Sequence, residues 1–148
     1  MAGAHTRAPG RGTAVQQAAL LVGVVFLIVG VLGFVPGVTT DFDSLEFAER
    51  DSGAELFGVF QVSILHNLVH ALFGIVGVAL SRTARTARSF LIVGGVVYLA
   101  LWIYGLVIDK DSDANFVPLN SADDWLHFGL GLGMVVLGLA LTRGTRRG

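Results

Sequence analysis

Three histidines, His66, His70 and His127, carry the plainest chemistry in this chain. An imidazole nitrogen ligates transition metals and haem iron, and it exchanges protons near neutral pH. His66 and His70 lie one helical turn apart in the run Ser63-Ile-Leu-His66-Asn67-Leu-Val-His70-Ala-Leu-Phe-Gly74-Ile-Val-Gly77. On a helix Ser63, His66, Asn67, His70, Gly74 and Gly77 fall on one stripe. His127 sits in Asp124-Trp-Leu-His127-x-x-x-Gly131, the same form as Asn67-Leu-Val-His70-x-x-x-Gly74. Ser63, His66, Asn67, His70, Asp124 and His127 are therefore expected to make one polar seam where two helices meet.

His66 lies 16 positions before Arg82, and His127 lies 16 before Arg143. At 1.5 Å per residue both then sit roughly 24 Å from those arginines, with His70 nearer the middle. Two imidazoles at one depth on different helices suit a haem iron held from both sides, or a metal site with His70 in reserve. A proton or ion path along the stripe is a further alternative. The plainer reading is packing: neutral His, Asn and Ser bonding between helices, each contact contributing about 0.6 kcal/mol. Asn67 and Asp124, each one turn before a histidine, are placed to orient the following ring in any of these cases.

A second cluster is acidic. Asp109, Asp111 and Asp113 occupy positions 1, 3 and 5 of a calcium-type loop. Position 6 is Ala114 rather than Gly, position 12 is Asn120 rather than a bidentate Glu, and Pro118 interrupts the loop. The pattern reads as a weak divalent-cation site at most, and otherwise as a solvated acidic loop.

The elements that must hold these residues are apolar. The 148 residues are 53% hydrophobic and 14% charged, with a mean hydropathy of +0.72, the balance of an integral membrane protein. The expected fold is all-α, a membrane four-helix bundle with spans near 14–35, 53–80, 89–108 and 122–142, each close to the roughly 20 residues a bilayer needs. Residues 1–13 read as a disordered tail and 143–148 as a basic one. Arg7 and Arg11 precede an apolar stretch longer than a signal-peptide core, and no Ala-x-Ala site follows. It reads as an uncleaved first span ended by Gly33 and Pro36. Ser52-x-x-Glu55 and Ser121-x-x-Asp124 resemble capping boxes opening the second and fourth helices.

Charge sets the expected orientation. The first tail carries +2, the loop through Glu55 −5, the Arg82-Arg85-Arg88 turn +3, the loop through Asp124 −4 and the last tail +3. Basic segments stay inside, so both termini should be cytoplasmic and both acidic loops extracytoplasmic in a multi-pass plasma (inner) membrane protein. Trp102, Tyr104 and Trp125 would mark the outer interface. The paired His motifs suggest a parallel duplication, although the two capping patterns imply a different offset. Twenty glycines suit close helix packing, and Gly129 and Gly133 form a Gly-x-x-x-Gly pair suited to a homo-oligomer or to packing within the bundle.

Other classes are excluded or lack a signal. With no cysteine there is no disulfide, thiol catalysis or Cys-ligated zinc, and a net charge of −1 with no basic–aromatic patch argues against nucleic acid. No nucleophilic triad or Gly-rich phosphate loop is visible. Nothing therefore assigns a reaction, and no catalytic residue is named.

Val35-Pro-Gly-Val-Thr-Thr-Asp-Phe-Asp43, Glu55-Leu-Phe-Gly-Val-Phe-Gln-Val-Ser-Ile-Leu-His-Asn-Leu-Val-His70, Tyr104-Gly-Leu-Val-Ile-Asp109 and Asn115-Phe-Val-Pro-Leu-Asn-Ser-Ala-Asp-Asp-Trp-Leu-His127 carry a resemblance. The chain is similar in these stretches to domain-of-unknown-function family 4383, small four-helix membrane proteins of actinobacteria. The resemblance implies that architecture and no catalytic residues. The expectation is a non-enzymatic structural or accessory protein, with lipid and other membrane proteins or a second copy as partners. A haem- or metal-binding redox protein and a small proton or ion conduit stand as the alternatives.

Overall fold

The computed structural model describes residues 12–48, 52–112, 115 and 119–141. Residues 1–11 and 143–148 of the expected tails lie outside the described residues, as do Asp113 and Pro118 of the acidic loop. Among those described the chain is mostly helical, with α1 (Ala14–Leu32), α2 (Ile64–Leu80), α3 (Ala84–Val107) and α4 (Ser121–Ala140). Of these, α1 and α3 are long and apolar enough to cross a membrane.

The helix bounds differ from expectation for local reasons. α1 stops at Leu32, because Pro36 has no N–H to donate and disfavours helix at Val35. Tighter bonds from the Phe34 and Val35 amides to the Val31 and Leu32 carbonyls close its end. α3 starts at Ala84, where the Thr83 side chain accepts from the Thr86 amide at 3.2 Å, so Arg85 and Arg88 belong to its first turns rather than to a loop.

The largest correction concerns residues 53–63. Ser52 and Glu55 do not open α2. Three short strands, β1 (Thr39–Thr40), β2 (Glu55–Leu56) and β3 (Phe60–Gln61), pair antiparallel in that order. Phe57 and Gly58 turn the chain with φ of 56° and 66°, a left-handed pair that no helix accommodates. Ser52 is fully buried, its hydroxyl donating to the Val62 carbonyl at 2.6 Å. Ala54, Leu56 and Val62 pack down onto Val29 and Leu32 at the end of α1. Helix α2 then begins at Ile64, capped by Ser63, whose hydroxyl accepts from the His66 amide at 3.1 Å.

The fourth helix starts within one residue of the expected 122, and only its cap differs. Its cap is Asn120, which exchanges bonds with Asp123 in both directions at 3.0 Å, not Ser121 with Asp124.

The helices pack as two antiparallel pairs through glycine. A Cβ on Gly30 would lie 2.5 Å from the Ala71 backbone nitrogen, and one on Gly23 2.6 Å from that of Val78. On the second pair, a Cβ on Gly95 would lie 2.7 Å from the Gly131 carbonyl oxygen. Small residues thus let α1 meet α2, and α3 meet α4, backbone to backbone. The glycines of the histidine stripe do not meet α4: Gly74 packs on α1, Gly77 lies between Gly23 of α1 and the Phe90 ring of α3, and Gly131 packs on α3, so α2 and α4 meet through their histidines and not through glycine. Between the pairs lies a core of Val15, Ala19, Phe26, Phe90, Leu91, Tyr98 and Met134.

Two side-chain bonds fix the ends. Gln16 Nε2 donates to the Arg82 carbonyl at 2.7 Å, holding the start of α1 against the α2–α3 turn. Asn120 Nδ2 donates to the Val59 carbonyl at 2.8 Å, holding the start of α4 against the β-hairpin. The two acidic connections therefore share one end of the bundle, and Arg82, Arg85 and Arg88 lie at the other.

Candidate metal centre

The helix caps place the histidines. Ser63 starts α2 three residues before His66, and Asn120 starts α4 seven residues before His127, so all three rings enter the bundle close to the hairpin end. His66, His70 and His127 are buried, and one ring nitrogen from each lies within 4.8 Å of the others. The His66 and His70 rings meet edge to face with centroids 4.4 Å apart, and His127 stands 6.5 Å from His66. Phe26 packs its edge on His70 at 5.4 Å, and Tyr98 packs on His127 at 5.2 Å.

The six seam residues are all buried, but they do different work. Ser63 caps α2 rather than bridging helices. Asn67 and Asp124 fill the spaces left where α1 and α3 carry Gly33 and Gly105: a Cβ on either glycine would collide with the facing side-chain oxygen. Asp124 does not orient His127 but takes Lys110 Nζ on Oδ2 at 2.6 Å. Among the described residues the Nδ1 of His127 and the Nδ2 of Asn67 are buried without a hydrogen bond. A buried polar atom left so is costly, which makes the His127 nitrogen notable in a cluster of donors.

The triad separates two cavities. One, of about 220 Å³, is lined by Leu65, Val69, Tyr98, Leu101 and Leu119 with the three histidines. The other, of about 160 Å³, lies under the hairpin and includes Leu56, Phe60, Val62 and Asp123 with the same histidines. Both fall below the roughly 300–1,000 Å³ usual for organic ligand pockets, and His70 is wedged against His66. A porphyrin does not fit between His66 and His127. A single ion does: tetrahedral bonds of about 2.0–2.1 Å need ligand nitrogens about 3.4 Å apart, a small closure from the observed spread.

The acidic loop has no comparable geometry. Asp109 Oδ1 accepts from the Asp111 amide at 3.0 Å, folding the loop on itself, and Asp113 lies outside the described residues. Among the described residues the histidine triad is the group arranged to hold a metal.

Sequence reasoning missed Tyr98, Phe26 and Asp123. Asp123 had a readable signal. Ser63, Asn67, His70 and Gly74 recur 57 positions later as Asn120, Asp124, His127 and Gly131, and His66 maps in that register onto Asp123. Tyr98 and Phe26 had none, being two aromatics among many in apolar spans.

Among the described residues, fold and site together define four helices, two of them apolar enough to cross a membrane, built around a buried cluster of three imidazoles. The chain belongs to the family described as Domain of unknown function (DUF4383), which matches residues 16–140 and so takes in every residue of the site. No curated protein and no solved structure matches it.

Proposed function

We propose that this is a multi-pass membrane protein that holds one divalent transition-metal ion on His66, His70 and His127. The convergence of three buried ring nitrogens within 4.8 Å carries the reading. Neutral imidazoles suit zinc, copper, iron and nickel, and a site without thiolate or clustered carboxylate disfavours calcium and magnesium. The membrane setting is supported by the outward faces of the helices, where Leu21, Leu72 and Val93 are each at least 60% exposed. Apolar side chains spread over every helix suit a lipid solvent better than water.

The test is elemental analysis and calorimetric titration of the purified protein with Zn²⁺, Cu²⁺ and Ni²⁺. About one ion per chain is expected, with at least tenfold weaker binding when His66 and His127 are both replaced by Ala, a loss of about 1.4 kcal/mol or more. A folded chain that binds none of these ions would return the triad to plain interhelical packing.

A further inference from the structure

The two cavities beside the triad are both almost wholly apolar and differ in size and lining: Asp123 is among the residues around the hairpin cavity, whereas the larger one is lined by Leu65, Val69, Leu101, Leu119 and Tyr98 besides the histidines. Three protein ligands leave a tetrahedral ion one open position, as in metal sites that bind a further molecule. A charged or strongly hydrogen-bonding molecule entering the larger cavity would lose its hydration against aliphatic walls, at a cost of several kcal/mol. A small neutral molecule loses almost nothing. At about 220 Å³ the cavity exceeds a water's share of liquid volume several times over, yet it is too small for a quinone ring with its tail. Val69, one of the residues lining it, is 51% exposed on the outer face of α2, so the cavity reaches close to the outer surface of that helix.

We propose that this cavity admits an uncharged ligand of diatomic size from the apolar phase to the open position of a metal held by His66, His70 and His127. The inference rests on the metal reading above. Binding is reversible coordination with no bond in the ligand broken. Tyr98, packed on His127, forms part of the cavity wall.

Carbon monoxide on Cu⁺ is the probe, because the bound C–O stretch is read directly by infrared spectroscopy. The wild-type protein, loaded anaerobically with Cu⁺ in detergent and checked by copper analysis, should show one carbonyl band. Leu101→Trp, which fills the cavity, should weaken CO affinity roughly tenfold or more at unchanged copper content. Val69→Trp, at the exposed lining position, covers the case in which the first variant does not fold. Azide, small but charged, should not displace CO. A copper-loaded protein without a carbonyl band, or with one indifferent to both tryptophans, overturns the ligand site and leaves the metal site standing. A folded chain that takes up no copper overturns the ligand site, and one that also binds neither Zn²⁺ nor Ni²⁺ overturns the metal site with it.

Discussion

At the scale of single residues, the buried charge pair at the start of α4 shows how this protein tolerates ions near its apolar interior. Asp124 is almost entirely enclosed, its side chain 4% exposed, and Lys110 reaches it from a loop where it keeps 32% of its own exposure. The two ends of the pair are therefore unequal. Replacing Lys110 by Met strands a carboxylate in a pocket shaped by Gly105, whereas Asp124→Asn leaves a lysine that can turn back to water. Lys110→Met should accordingly cost more stability than Asp124→Asn, by about 1–3 kcal/mol. Thermal unfolding of both variants in detergent checks it, and equal losses would show that the pairing does not govern Asp124. The histidines were legible because His at helical spacing in an apolar run stands out against its neighbours. Their meeting with Phe26 and Tyr98 was not, because aromatic side chains in a membrane-like composition carry no mark of which face they take.

At the scale of elements, the α1–α2 and α3–α4 pairs repeat one design. Gly23 meets Gly74 in the first pair and Gly95 meets Gly131 in the second, while Gly33 receives Asn67 and Gly105 receives Asp124. The true caps, Ser63 and Asn120, stand in the same register as these contacts, so the offset conflict posed by Ser52 and Ser121 disappears. The internal repeat was visible in the two His motifs, but the caps concealed it. A Ser-x-x-Glu pattern reports only that a helix could start there, and at Ser52 the hydroxyl is spent on the Val62 carbonyl instead. The hairpin was hidden for a related reason: Leu56-Phe-Gly-Val-Phe60 is apolar throughout, and a short apolar run does not declare its period. The same pairing logic separates two kinds of glycine. Gly30→Ala forces α1 off α2 and should cost about 1–3 kcal/mol, as overpacking does, whereas Gly129→Ala meets nothing within 4 Å and should be neutral to mildly stabilising. Unfolding in detergent of both variants discriminates them, and a costly Gly129→Ala would instead reveal a neighbour packed on that face.

At the scale of the whole molecule, charge and site lie along one axis. The acidic connections gather at the hairpin end, and Arg82, Arg85 and Arg88 lie at the other, held to the start of α1 by the Gln16 bond. His70 and His127 enter six residues into α2 and α4, so at 1.5 Å per residue they lie about 9 Å from the acidic ends of those helices. Retention of arginine on the cytoplasmic side would then place the triad in the outer third of the bilayer, facing ions that arrive from outside. The chain has no cysteine, so single cysteines report sidedness without background. Asp43→Cys, exposed at the acidic end, should react in intact cells with a membrane-impermeant maleimide, and Arg85→Cys, exposed at the basic end, only after permeabilisation. The second variant keeps Arg82 and Arg88, enough basic charge to hold the turn inside. The opposite labelling pattern would invert the bundle and bring the triad near the cytoplasm, where any metal would have to come from the intracellular pool. Labelling of both sites in intact cells would mean that the two ends are not separated by a membrane at all, and the apolar outer faces of the helices would then need a protein partner to cover them.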